Sequence, residues 1–330
     1  MKWLADRWFL VLLLLVLAAG LAGAGRLQAL AEVAWLQPFI TAGVLFVMAL
    51  LLETSTVTHS LTHPGPALLA CLVNMGLVPL VAWAVSFVLP EEMGLGLCIA
   101  AAVPCTLASA AVWTRRAGGN DAAALFVTLI TNVTCFAVTP LWVWLMTGRS
   151  LEASALKPTD MAWQLAWLVV LPMAVAQLLR RVQTIAQFAA RRHHFLAVLA
   201  QGGILGMVFL GAIQSGSGMR GEPGSTMFPG TVLSLLIVVS GVHLVSLCAG
   251  LWSARGLGWS RADQIAVAIA GSQKTLMVGL VVANALRVTI LPMVAYQVLQ
   301  LILDTFIADH FRRRNLAPGN HRPASGDAAG

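Results

Sequence analysis

Two short polar segments interrupt otherwise apolar stretches, one in each half of the chain. The first reads Val-Pro-Cys-Thr-Leu-Ala-Ser-Ala over residues 103–110, and the second reads Ala-Gly-Ser-Gln-Lys-Thr over residues 270–275. Lys274 is a full charge inside an apolar run, and such a charge must pair with a partner or face a cavity. We therefore predict that its ammonium stabilises carbonyl oxygens or binds an anion. Proton coupling through Lys274 is a second prediction, and a purely structural lysine is the alternative.

Other polar side chains in the apolar stretches are further candidates. Asp304 has Gln300 one turn earlier on the same helix face. We nevertheless expect Asp304 at the membrane interface, paired with Arg312–Arg314 or solvent, and we expect the same of Glu53. His243 is predicted to be a hydrogen-bonded packing residue, with a proton relay as the alternative. Lys274, Asp304 and His243 are too far apart in sequence to indicate one cluster.

The composition places these residues in a membrane protein. Of the 330 residues, 59% are hydrophobic and 10% are charged, and the mean hydropathy is +0.85. The five cysteines lie in apolar stretches without Cys-x-x-Cys or Cys/His spacing, which argues against a disulfide framework and a zinc site. No phosphate loop, nucleophile elbow or His-Glu-x-x-His pair occurs, so the sequence predicts neither an enzyme nor a cofactor.

Apolar stretches of about 20 residues are long enough to cross a bilayer. We predict ten such spans: 8–25, 36–54, 67–89, 94–114, 121–146, 161–179, 197–215, 229–252, 264–286 and 289–309. The first could instead be a cleaved signal peptide, because it ends in the small residues Ala22-Gly23-Ala24. Residues 1–310 thus form a predicted transporter domain, and residues 311–330 a basic, disordered cytoplasmic tail.

The basic residues predict the orientation of these spans. Fourteen of the 20 Lys and Arg fall on one side of the ten-span topology and five on the other, while Lys274 lies within a span. The positive-inside rule then places both termini in the cytoplasm, in a bacterial-type inner membrane. The net charge of +7 is accordingly a topology signal, and no nucleic-acid partner is predicted.

Ten spans divide into two groups of five that enter the membrane in opposite senses, which permits an inverted repeat. The fourth span of each group is irregular: Pro104 and Gly118-Gly119 flank the end of one, and Gly271-Ser272 interrupts the other. Interrupted helices in corresponding positions of two repeats mark the binding site of many transporters. We therefore predict Pro104, Gly271 and Ser272 as hinge residues of two broken helices.

Four motifs give the chain a resemblance to a known family. They are Pro-x-x-x-x-Ser at 104–109, Gly-Asn at 119–120, a proline at 140 that ends the fifth span, and Gly-x-Gln at 271–273. The chain resembles the bile-acid/sodium symporter family, in the bacterial branch related to the divergent seventh member of the human bile-acid carriers. The resemblance implies ten helices in two inverted five-helix repeats, with helices 4 and 9 broken and crossing. It further implies a panel domain (spans 1, 2, 6 and 7) that rocks against a core domain (spans 3–5 and 8–10).

The resemblance also implies two sodium sites beside the crossing. Residues matching the family's sodium ligands are Asn74, Ser109, Thr128 and Gln273. Three further ligand positions are occupied by Ala110, Ala124 and Ile269, and the last of these replaces the acidic residue shared by both sites. A hard cation without a carboxylate binds weakly at best. We therefore predict that Lys274 supplies the positive charge that sodium supplies in the relatives.

The leading prediction is a secondary active carrier of a small or amphipathic organic anion that works by alternating access, with sodium or a proton as the coupling ion. Its predicted binding residues are Asn74, Ser109, Thr128, Asn132, Gln273, Lys274 and Thr275. One alternative is a non-transporting membrane regulator or sensor. Another is an arsenite-type permease of the same fold, suggested by Cys105 beside Pro104. The substrate, the direction of transport and the oligomeric state are left open.

Overall fold

Helices account for all of the regular secondary structure in the described part of the chain. The structure is a computed structural model that describes residues 8–52, 63–107, 109–147, 157–220 and 229–316. The helices are α1 (Trp8–Ala31), α2 (Leu36–Leu51), α3 (Gly65–Ser86), α4 (Glu91–Ala102), α5 (Ser109–Arg116), α6 (Asp121–Thr147), α7 (Pro158–Arg180), α8 (Gln183–Arg191), α9 (His193–Arg220), α10 (Pro229–Gly256), α11 (Arg261–Ser272), α12 (Leu276–Leu286) and α13 (Leu291–Leu316). Helices suit a bilayer because each satisfies its own backbone hydrogen bonds.

Eight stretches of the described chain are helical, long and apolar enough to cross a membrane. They comprise α1, α3, α6, α7, α9, α10, the α11–α12 pair and α13. The helix α2 is apolar but shorter, and the fourth predicted span is divided between α4 and α5. The chain is therefore a multi-pass helical membrane protein, while the count of ten spans and the inverted repeat stay predictions.

Many of the helix contacts fall into two groups, which contacts between α6 and α7 join. In the first, α9 lies against α1 and α2, and α7 lies against α2. In the second, α11 lies at the centre and contacts α3, α5, α6 and α10, while α13 packs on α4 and α10. Small residues let α1 and α9 approach closely: a Cβ atom at Gly20 would lie 2.6 Å from Ala212 Cβ, and one at Gly216 would lie 2.8 Å from Ala24 Cβ. Such close backbone approach is a main source of helix association in lipid.

The fourth predicted span is broken between Ala102 and Ser109. Val103 is extended (φ −77°, ψ 160°), as the residue before a proline prefers to be. Pro104 has no N–H to continue the helical hydrogen bonds. The chain turns into α6 through Gly118, whose φ of 77° suits glycine.

The second break begins one residue later than predicted. Gly271 and Ser272 are the last two residues of α11, and the chain leaves the helix at Gln273 (φ −77°, ψ 141°). A Cβ atom at Gly271 would lie 3.0 Å from Val73 Cγ1. Gly271 therefore serves the close contact between α11 and α3, and the extended segment is Gln273–Thr275.

Two other details differ from the prediction. Pro140, predicted to end the fifth span, lies inside α6, although the bounds of that helix, Asp121–Thr147, agree with the predicted span 121–146. The last helix continues to Leu316, so the first residues assigned to the tail are helical. Residues 317–330 of that predicted tail, and Glu53, lie outside the described residues.

Candidate ion and solute site at the helix crossing

The two extended segments meet at a crossing. The backbone N–H of Thr275 donates to the carbonyl oxygen of Pro104 at 2.9 Å, which joins the break between α4 and α5 to the break between α11 and α12. The C-terminal ends of α4 and α11 and the N-terminal ends of α5 and α12 therefore converge on one place. Helix C-termini carry unpaired carbonyls and partial negative charge, so the ends of α4 and α11 can stabilise a cation.

Lys274 provides that cation. The residue is 2% exposed, and its Nζ donates to Asn74 O at 2.5 Å, to Val103 O at 2.9 Å and to Asn74 Oδ1 at 3.2 Å. An ammonium has three N–H donors, so three acceptors satisfy it completely. Lys274 forms no ion pair within the described residues. Its direct contacts are therefore neutral oxygens only.

Asn74 connects this ammonium to the end of α11. It lies in a π-helical turn of α3, Val73–Leu77, and such turns are frequent at functional sites. The amide Nδ2 of Asn74 lies within hydrogen-bond distance of three carbonyl oxygens: Ala270 O (3.2 Å), Gly271 O (3.3 Å) and Gln273 O (2.8 Å). One amide thus pairs with the final carbonyls of α11 while its oxygen accepts from Lys274.

Gln273 connects the crossing to both halves of the chain. Its Oε1 accepts from Ser109 Oγ at 2.9 Å and from Thr106 Oγ1 at 3.0 Å. Its Nε2 donates to Asp304 Oδ2 on α13. The amide is therefore oriented, with its oxygen toward the first half of the chain and its nitrogen toward the carboxylate.

Asp304 is fully buried, which corrects the prediction of an interfacial position. Its other oxygen, Oδ1, lies 2.9 Å from His243 Nε2, and both side chains are 0% exposed. The second ring nitrogen of His243 lies 3.4 Å from Ser272 O. The prediction was wrong because α13 extends to Leu316 and so places Asp304 near its middle. His243 is hydrogen-bonded and buried as predicted, but its partner is a carboxylate.

The helix α13 contributes polar groups at every fourth residue. Tyr296 donates its hydroxyl to Ser272 O at 3.1 Å. Gln300 accepts from the backbone N–H of Lys274 at 2.8 Å and donates to its carbonyl at 2.8 Å, and Gln297 accepts from Gln300. Residues 296, 300 and 304 share one helix face. This polar i, i+4, i+8 spacing is the sequence signal that could have placed α13 against the crossing.

The hydroxyl and amide groups of α6 hold the first break. Thr128 Oγ1 contacts Ala124 O at 2.9 Å and Thr106 O at 3.2 Å. Asn132 Nδ2 donates to Cys105 O at 2.9 Å, and Thr131 accepts from the Cys105 backbone N–H at 3.2 Å. Asn132 Oδ1 is buried without a hydrogen-bond partner in the described part of the chain.

The four predicted sodium ligands are all engaged by other partners. The Oδ1 of Asn74 accepts from Lys274, Ser109 and Gln273 bind each other, and Thr128 donates to backbone carbonyls. Within the described residues, no three His, Cys, Asp or Glu side chains group to hold a metal ion. The oxygens that would coordinate sodium are engaged by an ammonium or by one another, so these residues do not fit a sodium ion.

The space beside Lys274 is closed. It is lined by Ala100, Thr275, Leu276, Met293 and Tyr296, and it has no room for a water molecule. Thr275 contributes its backbone N–H to the crossing. Cys105 is also fully buried, with Thr128 Oγ1 3.9 Å from its sulfur. A solute can reach Lys274 only after the helices around this space separate.

A multi-pass helical protein with two broken helices crossing at a buried charge is the architecture of a membrane carrier. A profile of the SBF-like CPA transporter family matches residues 7–313, and the chain belongs to that family. The resemblance drawn from the sequence motifs is thereby confirmed.

Several relatives cover most of the chain. An uncharacterized protein of Pseudomonas aeruginosa is 26% identical over 95% of both chains. Sodium/bile acid cotransporter 7 of Xenopus tropicalis is 24% identical over 92% of this chain and 91% of its own. The putative symporter YfeH of Escherichia coli is 27% identical over 71% of this chain and 69% of its own. The family to which the chain belongs is one of membrane transporters.

Proposed function

We propose that the protein is a secondary active carrier of a small or amphipathic organic anion, with Lys274 as a fixed positive charge at the helix crossing. The observation that carries the proposal is the environment of that ammonium: three neutral oxygens bind it, and among the described residues no carboxylate forms an ion pair with it. A buried cation whose direct contacts are all uncharged can attract an anion, because the surrounding apolar protein screens charge weakly. The relatives' names, a bile acid cotransporter and a symporter, support the same class of solute and activity.

Alternating access is the mechanism that this architecture supports best. The group α1, α2, α7 and α9 corresponds to the panel, and the group around α11 corresponds to the core. The crossing lies inside the core, and the space beside Lys274 is closed. Movement of one group against the other opens that space to one side of the membrane at a time. Lys274 keeps the crossing intact throughout, because its acceptors, Asn74 on α3 and Val103 directly after α4, belong to the core as well.

The proposal predicts an uptake activity that depends on a charge at position 274. Purified protein in liposomes should accumulate labelled taurocholate, or smaller carboxylates tested alongside it, above protein-free vesicles. Lys274→Ala should abolish that uptake. Because the substitution also leaves oxygens of Asn74 and Val103 without their donor, thermal melting verifies that the variant is folded, and uptake is compared per amount of folded protein. Lys274→Arg is the charge-retaining comparison, and Arg255→Gln, an exposed arginine at the end of α10, is the control for a lost positive charge. Uptake by Lys274→Ala equal to that of the wild type would contradict the proposal.

The coupling ion is tested separately from the solute. We expect the melting temperature of the purified protein to be equal in sodium and in choline at the same ionic strength, because a ligand stabilises only where it binds the folded state. A rise specific to sodium would show that sodium binds despite the engaged oxygens. In that outcome Lys274 would not replace the ion, and the carrier would be a sodium symporter.

A further inference from the structure

The helix α8 is amphipathic and lies between two spanning helices. It connects the end of α7, at Arg180, to the start of α9, at His193, so it lies at the level of the membrane surface. Ile185 packs on the protein core and Ala189 is fully buried. Phe188, on another face of the same helix, is 53% exposed. The helix thus has one apolar face against the protein and a further apolar side chain that faces away from it. Such a short helix is typical of the membrane interface.

Exposed arginines flank this helix and have no acidic neighbours. Arg181, Arg191 and Arg192 are exposed and form no ion pair with another described residue. No Asp or Glu occurs in the sequence between Asp160 and Glu222. Phe188 lies three residues before Arg191, which places these two side chains on neighbouring turns of one helix face, and Arg192 follows as the C-cap residue. The surface therefore combines positive charge with an exposed aromatic ring.

We infer that this surface, formed by Arg181, Phe188, Arg191 and Arg192, binds the headgroup of an anionic phospholipid of the surrounding bilayer. Charge complementarity and position identify the occupant. Guanidinium groups bind phosphate oxygens through two parallel hydrogen bonds, and basic clusters beside spanning helices attract anionic lipids. The exposed ring of Phe188, and that of Phe195 (62% exposed) on the first turn of α9, contact the acyl chains below the headgroup.

Native mass spectrometry of the full-length protein tests the inference. The wild type, titrated with phosphatidylglycerol and in parallel with phosphatidylcholine, should retain phosphatidylglycerol preferentially. The double variant Arg191→Gln/Arg192→Gln should bind phosphatidylglycerol about tenfold more weakly. The control is Arg312→Gln/Arg313→Gln, an adjacent and exposed arginine pair near the end of α13 that has no amphipathic helix beside it. Its affinity should stay that of the wild type.

Two further measurements, one with a Phe188→Ser variant and one with inorganic phosphate, distinguish lipid binding from binding of a free anion. Phe188→Ser should also weaken phosphatidylglycerol binding, because the acyl chains lose their contact, and thermal melting verifies that each variant is folded. Inorganic phosphate at equal concentration should leave lipid binding unchanged. Competition by phosphate would mean that the surface recognises a free anion, and equal losses in the two arginine pairs would mean that only net charge matters. Either result overturns the inference, and neither bears on transport by the helix crossing.

Discussion

Lys274 is satisfied in a way that restricts what it can do. Its three N–H donors are used by two oxygens of Asn74 and one of Val103. An anion can therefore form a direct hydrogen bond to the ammonium only if it displaces one of these acceptors. Without displacement, the lysine acts through its electrostatic potential and by holding α3, α4 and the second break together.

The buried carboxylate of Asp304 supports a second prediction about a single residue. Asp304→Asn should lower the free energy of unfolding by about 3 kcal/mol, because it disrupts hydrogen bonds to His243 and Gln273 in a fully buried network. The measurement is thermal unfolding of the purified protein in detergent.

The matched control for Asp304 is Asp309, five residues further along the same helix. Its carboxylate binds Arg116 at 2.8 Å, and both side chains are about 40% exposed. Asp309→Asn should therefore change the free energy of unfolding by less than about 1 kcal/mol. Equal losses in the two variants would mean that burial of Asp304 contributes nothing specific.

At the scale of helices, backbone proximity decides which glycines are needed. A Cβ atom at Gly20 of α1 would lie 2.6 Å from Ala212 Cβ and 2.9 Å from Phe209 O on α9. Neither atom is the end of a flexible side chain, so the two helices would have to separate. Gly241 of α10 has no atom within 4 Å of the same position.

We accordingly expect the change from glycine to alanine to have opposite effects on stability at positions 20 and 241. Gly20→Ala should destabilise the protein by about 1–3 kcal/mol, because overpacking displaces α1 from α9. Gly241→Ala should be neutral or stabilise by up to about 1 kcal/mol, because alanine is the better helix former. Melting temperatures in one detergent compare the two variants, and a stabilised Gly20→Ala variant would show that α1 and α9 are not closely packed.

The sequence was most informative where the bilayer itself constrains the chain. Lipid requires apolar helices of a minimum length, so most helices lie at the predicted positions. Pro104 predicted the first break, because proline cannot continue the helical hydrogen bonds. The partners of the buried polar groups were not predictable, because they lie far apart along the chain. Asn74 is 200 residues from Lys274, and His243 is 61 residues from Asp304. Only the fold brings these groups together.

For the whole molecule, the contacts between the two helix groups indicate which side is closed. Asn284 on α12 donates to Gln37 on α2 at 3.3 Å. The backbone N–H of Ile290, at the start of α13, donates to Ser215 Oγ on α9 at 3.3 Å. Under the predicted topology these contacts lie near the outer face. They link α2 and α9 to the helices that form the crossing, and they must break when that face opens.

Cross-linking tests this interpretation without a known solute. In a variant whose native cysteines are replaced, a short bifunctional thiol reagent should join Gln37→Cys to Asn284→Cys. A membrane-impermeant maleimide should then label Ser109→Cys from the inner face only. The control pair is Gln28→Cys with Glu32→Cys, whose native side chains are neighbours in one segment and hydrogen-bonded at 2.8 Å. Cross-linking this pair should leave the maleimide labelling of Ser109→Cys unchanged. Labelling from the outer face after the Gln37–Asn284 cross-link would rule out these contacts as an outer gate.

The order of residues around Lys274 has a consequence for biosynthesis. Its acceptors, Asn74 and Val103, precede it by 200 and 171 residues. A ribosome therefore delivers those oxygens to the membrane well before the lysine emerges. The oxygens that bind the ammonium are therefore already in the membrane when Lys274 is inserted. The buried charge can form its hydrogen bonds as soon as its own segment enters the bilayer.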